Sequence, residues 1–403
     1  MIISEITDTP KRRDRGRQLL RETRRLMADT WRADPVSRVF RIEPEGTPRG
    51  QALLSYRTEA FFLPADHPSL LTHTNFRQSR EMARVLSELG FVTDVIDYRN
   101  MSFVPDSPCS VFIDVRHNME RLASRCGRDC TRVFHIDTAH INHSNANEAG
   151  RLRALLERRA TTLAPRRWET PNRGIEHAHV AIGNAGPYAV STFRAFGKRI
   201  IPLPAPVQPR GLAPQRDWAR ARTNFLWFGS GGLVHKGLDL VLEAFAGMPD
   251  LKLTVCGPVD KEPDFEAAYR RELHHTENIR TTGWMAGDDP QLGELMASCG
   301  FLVFPSCSEG LSTSTIECMQ AGLIPVITRE TGVETEGHGF IIGEGSVEEV
   351  RRAAREASST DEKTLAMRSA GCTDIARSRH TPAAFARAFR DAMVEILGSS
   401  GGT

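Results

Sequence analysis

Three groups of residues in this 403-residue chain have types and spacings that could do chemistry. The first is Lys236, in the loop Gly229-Ser-Gly-Gly-Leu-Val-His-Lys-Gly237. That loop lies between the apolar run Phe225-Leu-Trp-Phe228 and an apolar-periodic segment starting at Leu238. Backbone N–H groups at a helix start, with one compact ammonium charge, suit a diphosphate. Lysine precedes the last glycine, so this is not a Walker A loop, and no G-x-G-x-x-G fingerprint is present. The second group is Glu309 and Glu317, eight residues apart, one after the run Phe301-Leu-Val-Phe304 and one inside the next periodic segment. Two carboxylates fixed in this way can grip two sets of sugar hydroxyls. The third is His135-Ile-Asp-Thr-Ala-His-Ile-Asn-His143, dense in metal-type ligands, with His177 and His179 as the other candidates. A zinc hydrolase could use His135, Asp137 and His140, and stoichiometric zinc in purified protein would favour that reading.

These residues need a scaffold, and the pattern around them is α/β. Phe61-Phe-Leu63, Phe91–Asp97, Ser110–Asp114, Arg132–Ile136, His177–Ile182 and Lys198–Leu203 read as strands. A helix is expected from about Arg77 to Leu89, stopping at Gly90. Five prolines between 202 and 214 mark a linker. Beyond it, Asn224–Phe228, Leu251–Cys256, Ile279–Thr282, Phe301–Phe304 and Ile324–Ile327 read as strands of a second unit, and Pro382–Leu397 as a final helix. Short apolar strands alternating with helices imply parallel, doubly wound sheets. The expected organisation is a basic extension over 1–50, an N-terminal Rossmann-like (acceptor) domain over 51–205 and a linker over 206–219. A C-terminal Rossmann-like nucleotide-sugar domain over 220–380 and a crossover helix over 381–398 complete it.

A hydrophobic content of 40%, a charged content of 25% and a net charge of +2 fit a soluble globular enzyme and argue against nucleic acid as a partner. Residues 11–32 are the exception, with nine basic and three acidic side chains. As a basic amphipathic helix this stretch would touch an anionic bilayer surface peripherally, or lie solvated on its own protein. Eight scattered cysteines without a C-x-x-C pair, no signal-peptide core and no membrane-length apolar run set a cytoplasmic expectation.

Taken in order, the motifs H-K-G-L-D (235–239), V-C-G-P (255–258), T-G-W (282–284), P-S-C-S-E-G (305–310), the two glutamates and A-G-L-I-P-V (321–326) resemble the retaining GT-B-fold glycosyltransferases of family 4, the glycosyl transferases group 1. The likeness is close over residues 220–345 and looser over 60–205, where it rests on the βα rhythm and on Thr138-Ala-His140. It implies two Rossmann-like domains facing across a cleft, with the last helix crossing back to the first domain. It also implies roles: Lys236 neutralising donor phosphates, Glu309 holding the transferred sugar, Glu317 the ribose, and His140 reaching the sugar across the cleft. Gly231 and Gly232 would sit at the nucleotide, and the backbone N–H groups of Gly310, Leu311 and Ser312 near phosphate and sugar. The implied reaction moves a sugar from a UDP- or GDP-linked donor to a glycan or glycolipid acceptor, with retention, no metal and no cofactor beyond the donor. A non-catalytic nucleotide-sugar binder and a GT-B-fold epimerase would share these grips.

The chain departs from the family's pattern at two places. Gly231 stands where an arginine is usual, five residues before the lysine, so that charge is either missing or supplied from elsewhere, with Arg194 and Arg210 as candidates. His73-Thr-Asn75 replaces the usual double glycine of the first loop.

Overall fold

The structure, a computed structural model, describes residues 36–64, 67, 69–70, 73–208, 215–285 and 289–399. The basic stretch 11–32, the middle of the linker and Arg210 lie outside them.

The N-terminal sheet has seven strands: Val39–Ile42 (β1), Gly50–Tyr56 (β2), Phe91–Asp97 (β3), Val111–Asp114 (β4), Thr131–Ile136 (β5), Val180–Gly183 (β6) and Arg199–Pro202 (β7). Their order is β1-β3-β2-β4-β5-β6-β7, and only β1, paired with β3, runs antiparallel. The C-terminal sheet has six parallel strands: Asn224–Phe228 (β8), Lys252–Cys256 (β9), Ile279–Thr281 (β10), Phe301–Phe304 (β11), Ile324–Thr328 (β12) and Phe340–Ile342 (β13). Its order is β10-β9-β8-β11-β12-β13. Strands such as Phe-Leu-Val-Phe in β11 are buried throughout, because helices cover both faces of a parallel sheet.

Six helices matter to the site: Thr74–Glu88 (α1), Ile141–Arg159 (α2), Leu238–Ala246 (α3), Thr313–Gln320 (α4), Glu362–Arg379 (α5) and Pro382–Ser399 (α6). α1 ends at Gly90, whose φ of +93° is a conformation glycine adopts freely.

Two expectations are corrected. Phe61-Phe62 belongs to a 3-10 turn, Glu59–Phe62, and the strand of that region is Gly50–Tyr56. The apolar run is used to pack the turn, with Phe61 and Phe62 against Phe40 of β1. Residues 39–42, assigned to the extension, form an edge strand of the N-terminal sheet.

Each domain lends the other part of its core. Phe385, Phe389, Met393 and Ile396 of α6 pack with Leu54, Met82 and Val95, so the last helix does cross back to the N-terminal domain. In the other direction, Leu155 of α2 and Leu163 join the core of the C-terminal sheet.

Candidate functional site

Lys236 and Glu309 meet because β8 and β11 are adjacent and parallel, with Phe225 opposite Phe301 and Leu226 opposite Leu302. The loops leaving their carboxyl ends must therefore run side by side. Gly237 (φ +72°) turns the first loop into α3; a Cβ there would lie 2.4 Å from the Pro305 carbonyl oxygen. Hydrogen bonds stitch the two loops together: Cys307 N–H donates to the His235 carbonyl at 2.9 Å, and His235 Nε2 donates to the Ser308 carbonyl at 2.7 Å.

At the end of this seam Lys236 Nζ lies 2.7 Å from Glu309 Oε1, which also accepts from the Ser306 hydroxyl at 2.9 Å. Burial alone would raise the Glu309 carboxyl; the charges of Lys236, His235 and Arg167 outweigh it and bring it down to about 2. Glu309 is thus a fixed carboxylate, and its Oε2 makes no hydrogen bond among the described residues.

The pair opens onto a cleft of about 370 Å³ between the two sheets. From the N-terminal domain the cleft is lined by Tyr56, Asp137 and Asn184, which follow or end β2, β5 and β6, and by His73, Asn75 and Gln78 at the start of α1. From the other side come Gly229, Ser230, Lys236, Trp284, Glu309 and the first turns of α4. These are carboxyl ends of parallel strands, where open α/β sheets bind ligands. α4 turns its N-terminus to the cleft: Ser312 caps it by accepting from Thr315 N–H, and Leu311, Thr313 and Ser314 line the wall. Glu317, one turn further, lines the same wall, while its neighbours Ile316 and Met319 are buried. The positive end of the helix favours an anion here.

The structure thus brings Lys236, Glu309, Leu311, Ser312 and Glu317 to one surface. His140, Gly310, Gly231 and Gly232 do not line it. His140 caps α2 and packs its ring on Phe193 and Phe196, with centroids 5.2 and 4.9 Å away, in a separate small pocket. Gly310 seals the domain boundary: its carbonyl accepts from Gly186 N–H, and a Cβ on it would lie 2.6 Å from the carbonyl oxygens of Asp137 and Asn184. The Ser312 N–H is held by the Thr331 carbonyl at 2.9 Å. Gly231 and Gly232 are on the side of the loop facing Glu262, whose Oε1 accepts from the N–H groups of Gly232 and Leu233 at 2.5 and 3.2 Å. A buried carboxylate of the same domain therefore occupies the nest expected to cradle phosphate. Burial raises the Glu262 carboxyl, against the pull of those two N–H groups.

The metal-type run is likewise dispersed. His135 is buried with neither ring nitrogen hydrogen-bonded, Asp137 pairs with Arg116, and among the described residues no three His, Cys, Asp or Glu side chains are grouped to hold a metal ion. Arg194, a candidate for the missing positive charge, does not line the cleft; Arg167, which the sequence did not single out, does.

Two α/β domains facing across such a cleft, with the last helix returning to the first domain, constitute the GT-B fold. Residues 222–359 match the family described as glycosyl transferases group 1. The fold is similar to that of sucrose-phosphate synthase from Thermosynechococcus elongatus, with a TM-score of 0.61, 12% identity, and 88% of this chain and 100% of that one covered. It is also similar to Anabaena Alr3699/HepE, solved in complex with UDP-glucose, with a TM-score of 0.54, 13% identity, and coverage of 86% and 100%. TarM aligns with a TM-score of 0.50 at 11% identity over 74% of this chain, which spans 57% of TarM's length. Such identities establish the fold. No curated protein matches the chain by sequence. No helix among the described residues is long and apolar enough to cross a membrane.

Proposed function

We propose that this chain transfers a sugar from a UDP- or GDP-linked donor to a glycan or glycolipid acceptor, with retention and without a metal. The observation that carries the reading is the convergence of Lys236, Glu309 and Glu317 on one interdomain cleft at the carboxyl ends of both sheets. In this reading the donor diphosphate lies between Lys236 and the N-terminus of α4. Glu309 Oε2 accepts from hydroxyls of the transferred sugar and Glu317 from the ribose. Trp284, exposed at the rim, offers an indole face to the base.

When the bond from C1 to the diphosphate breaks, its electron pair passes to a phosphate oxygen. Charge develops there, and Lys236 is placed to stabilise it. With no carboxylate assigned as attacking nucleophile, the acceptor oxygen bonds to C1 on the face the diphosphate leaves, and its proton passes to the departing phosphate oxygen. The N-terminal wall, with Tyr56, Asn75 and Gln78, is the side offered to the acceptor. An acceptor at an anionic membrane surface would meet the basic stretch 11–32.

The test is a thermal-shift panel of nucleotide sugars, since a ligand bound to the native state raises its melting point. It is followed by donor hydrolysis or transfer with the hits. A panel in which no UDP- or GDP-sugar stabilises the protein or is turned over would defeat the reading.

A further inference from the structure

We propose that Arg167, on the loop that follows α2 in the N-terminal domain, is the second cation of the diphosphate subsite and reaches it by lying across Gly232. The proposal rests on the donor reading above and assigns a charge that the sequence pattern left unfilled at Gly231.

Among the described residues, Asp137, Glu309 and Glu317 line the cleft against two strong cations, Lys236 and Arg167. Asp137 is paired with Arg116, and Glu309 with Lys236. A diphosphate adds at least two further negative charges, and Lys236 already shares its own with a buried carboxylate. Arg167 lines the cleft and has no ion-pair partner among the described residues; its neighbour Arg166 pairs with Asp264. Backbone donors of the glycine loop do not make up the deficit, because Glu262 holds the Gly232 and Leu233 N–H groups.

Geometry shows how an arginine from the other domain arrives there. Gly232 has φ +88°, and a Cβ on it would fall 2.6 Å from Arg167 Cγ and 2.9 Å from Cδ. Only a residue without a side chain lets that stem cross the loop. The backbone beneath is fixed: the N–H groups of Arg166 and Arg167 both donate at 2.9 Å to Glu148 Oε1, a carboxylate of α2 that is 2% exposed. The side-chain stem of Arg167 therefore lies over the C-terminal domain with no ligand bound. Its charge already acts on the Glu309 carboxylate and disfavours protonation of His235, which places its field where the donor phosphates would lie. Because Arg167 and Lys236 come from different domains, a diphosphate gripped by both also ties the domains together.

Calorimetric titration of the full chain with UDP, GDP, UMP and GMP tests this. Arg167→Ala should weaken the better-bound diphosphate by roughly 10- to 100-fold, the range of a charge-assisted contact, and affect the matching monophosphate less. Arg167→Lys should restore part of the loss, and Arg153→Ala, at an exposed arginine of α2, should leave diphosphate affinity unchanged. Gly232→Ala, with Arg167 intact, should lose affinity by displacing the stem, and adding Arg167→Ala to it should cost little more. Wild-type affinity for both diphosphates in Arg167→Ala, with Lys236→Ala impaired, would overturn the proposal and leave the donor reading standing. A wild-type protein that binds neither diphosphate would remove both.

Discussion

Lys236 Nζ sits 2.7 Å from Glu309 Oε1, and the two are 73 residues apart in the chain. Each is the other's main charge partner in a largely buried position. Lys236→Ala should therefore do two things: weaken binding of UDP or GDP by roughly 10-fold or more, and leave Glu309 as an uncompensated buried carboxylate, costing about 3 kcal/mol of stability. Glu309→Gln should lower turnover while changing diphosphate affinity only a few-fold. The double variant Lys236→Met/Glu309→Gln should recover much of the lost stability and none of the activity. Chemical denaturation and calorimetry on the four proteins check this; equal stability of the Lys236→Ala protein and wild type would show that the pair is not coupled.

A second prediction concerns the acid that occupies the glycine loop. Glu262 accepts from the N–H groups of Gly232 and Leu233, and Arg166 approaches it at 4.0 Å. Glu262→Ala leaves two buried amide donors without partners, at about 1–3 kcal/mol each when unrelieved. The loop carrying Lys236 should then loosen, so that KM for the donor rises more than kcat falls. Glu262→Gln keeps one acceptor oxygen and should lie between. Amide hydrogen exchange over 229–237 reads this directly, and unchanged protection in Glu262→Ala would refute it.

That these loops serve one site was implied only by the family resemblance, whereas β8 and β11 themselves were legible because each is a buried parallel strand written as one continuous apolar run. The same rule failed for β2. Its Gln51 and Ser55 break the apolar pattern, yet inside the sheet Gln51 donates to Asp94 and Ser55 accepts from Asn118. The nearby Phe61-Phe62 run, which looked like the strand, packs a turn instead. His140 lies off the cleft wall because its ring packs on Phe193 and Phe196, which arrive from another element. Glu262 and Arg167 carried no local signal: one is 30 residues beyond the loop it fills, and the other comes from the opposite domain. The sequence marks the crossing point only as Gly232, one of four glycines in the loop Gly229–Gly237.

Acid should weaken the fold through its buried histidines. His135 is 1% exposed, and burial lowers it to about 4. His380 is also lowered to about 4 by burial, and its Nδ1 accepts from Ala205 N–H, a bond that requires the neutral ring. Both folded-state values lie below the unfolded value near 6.5. Their contribution is therefore fully present above pH ~6.5 and is lost as pH falls from there towards 4, where the unfolded chain binds protons that the folded one refuses. For His135 this is about 3 kcal/mol across the window. Urea denaturation of wild type and His135→Phe between pH 7 and 4.5 should show a shallower decline in the variant. Parallel curves would mean that His135 is not the group responsible.

The last prediction addresses how closely the domains approach. Gly186 has an ordinary negative φ of −73°, so alanine there strains no backbone. Its Cβ would nevertheless lie 1.8 Å from the Gly332 carbonyl oxygen of the opposite domain, beside the Gly186 N–H bond to the Gly310 carbonyl. A methyl group can be accommodated only if the domains move apart, which should break that bond and draw Asp137 and Asn184 away from the Glu309 wall of the cleft. Gly186→Ala should thus cut transfer or donor hydrolysis by roughly 10-fold or more, since a displacement of about 1 Å at a reacting centre is worth that much. Within the N-terminal domain the core formed by α1 and α6 is a different hydrophobic cluster from the one holding Ala185 and Ala189 beside this point, and should keep its hydrogen-exchange protection. Small-angle scattering should report a larger radius of gyration for the variant. An active Gly186→Ala protein of unchanged dimensions would show that the narrow approach of the domains is not needed for the site to work.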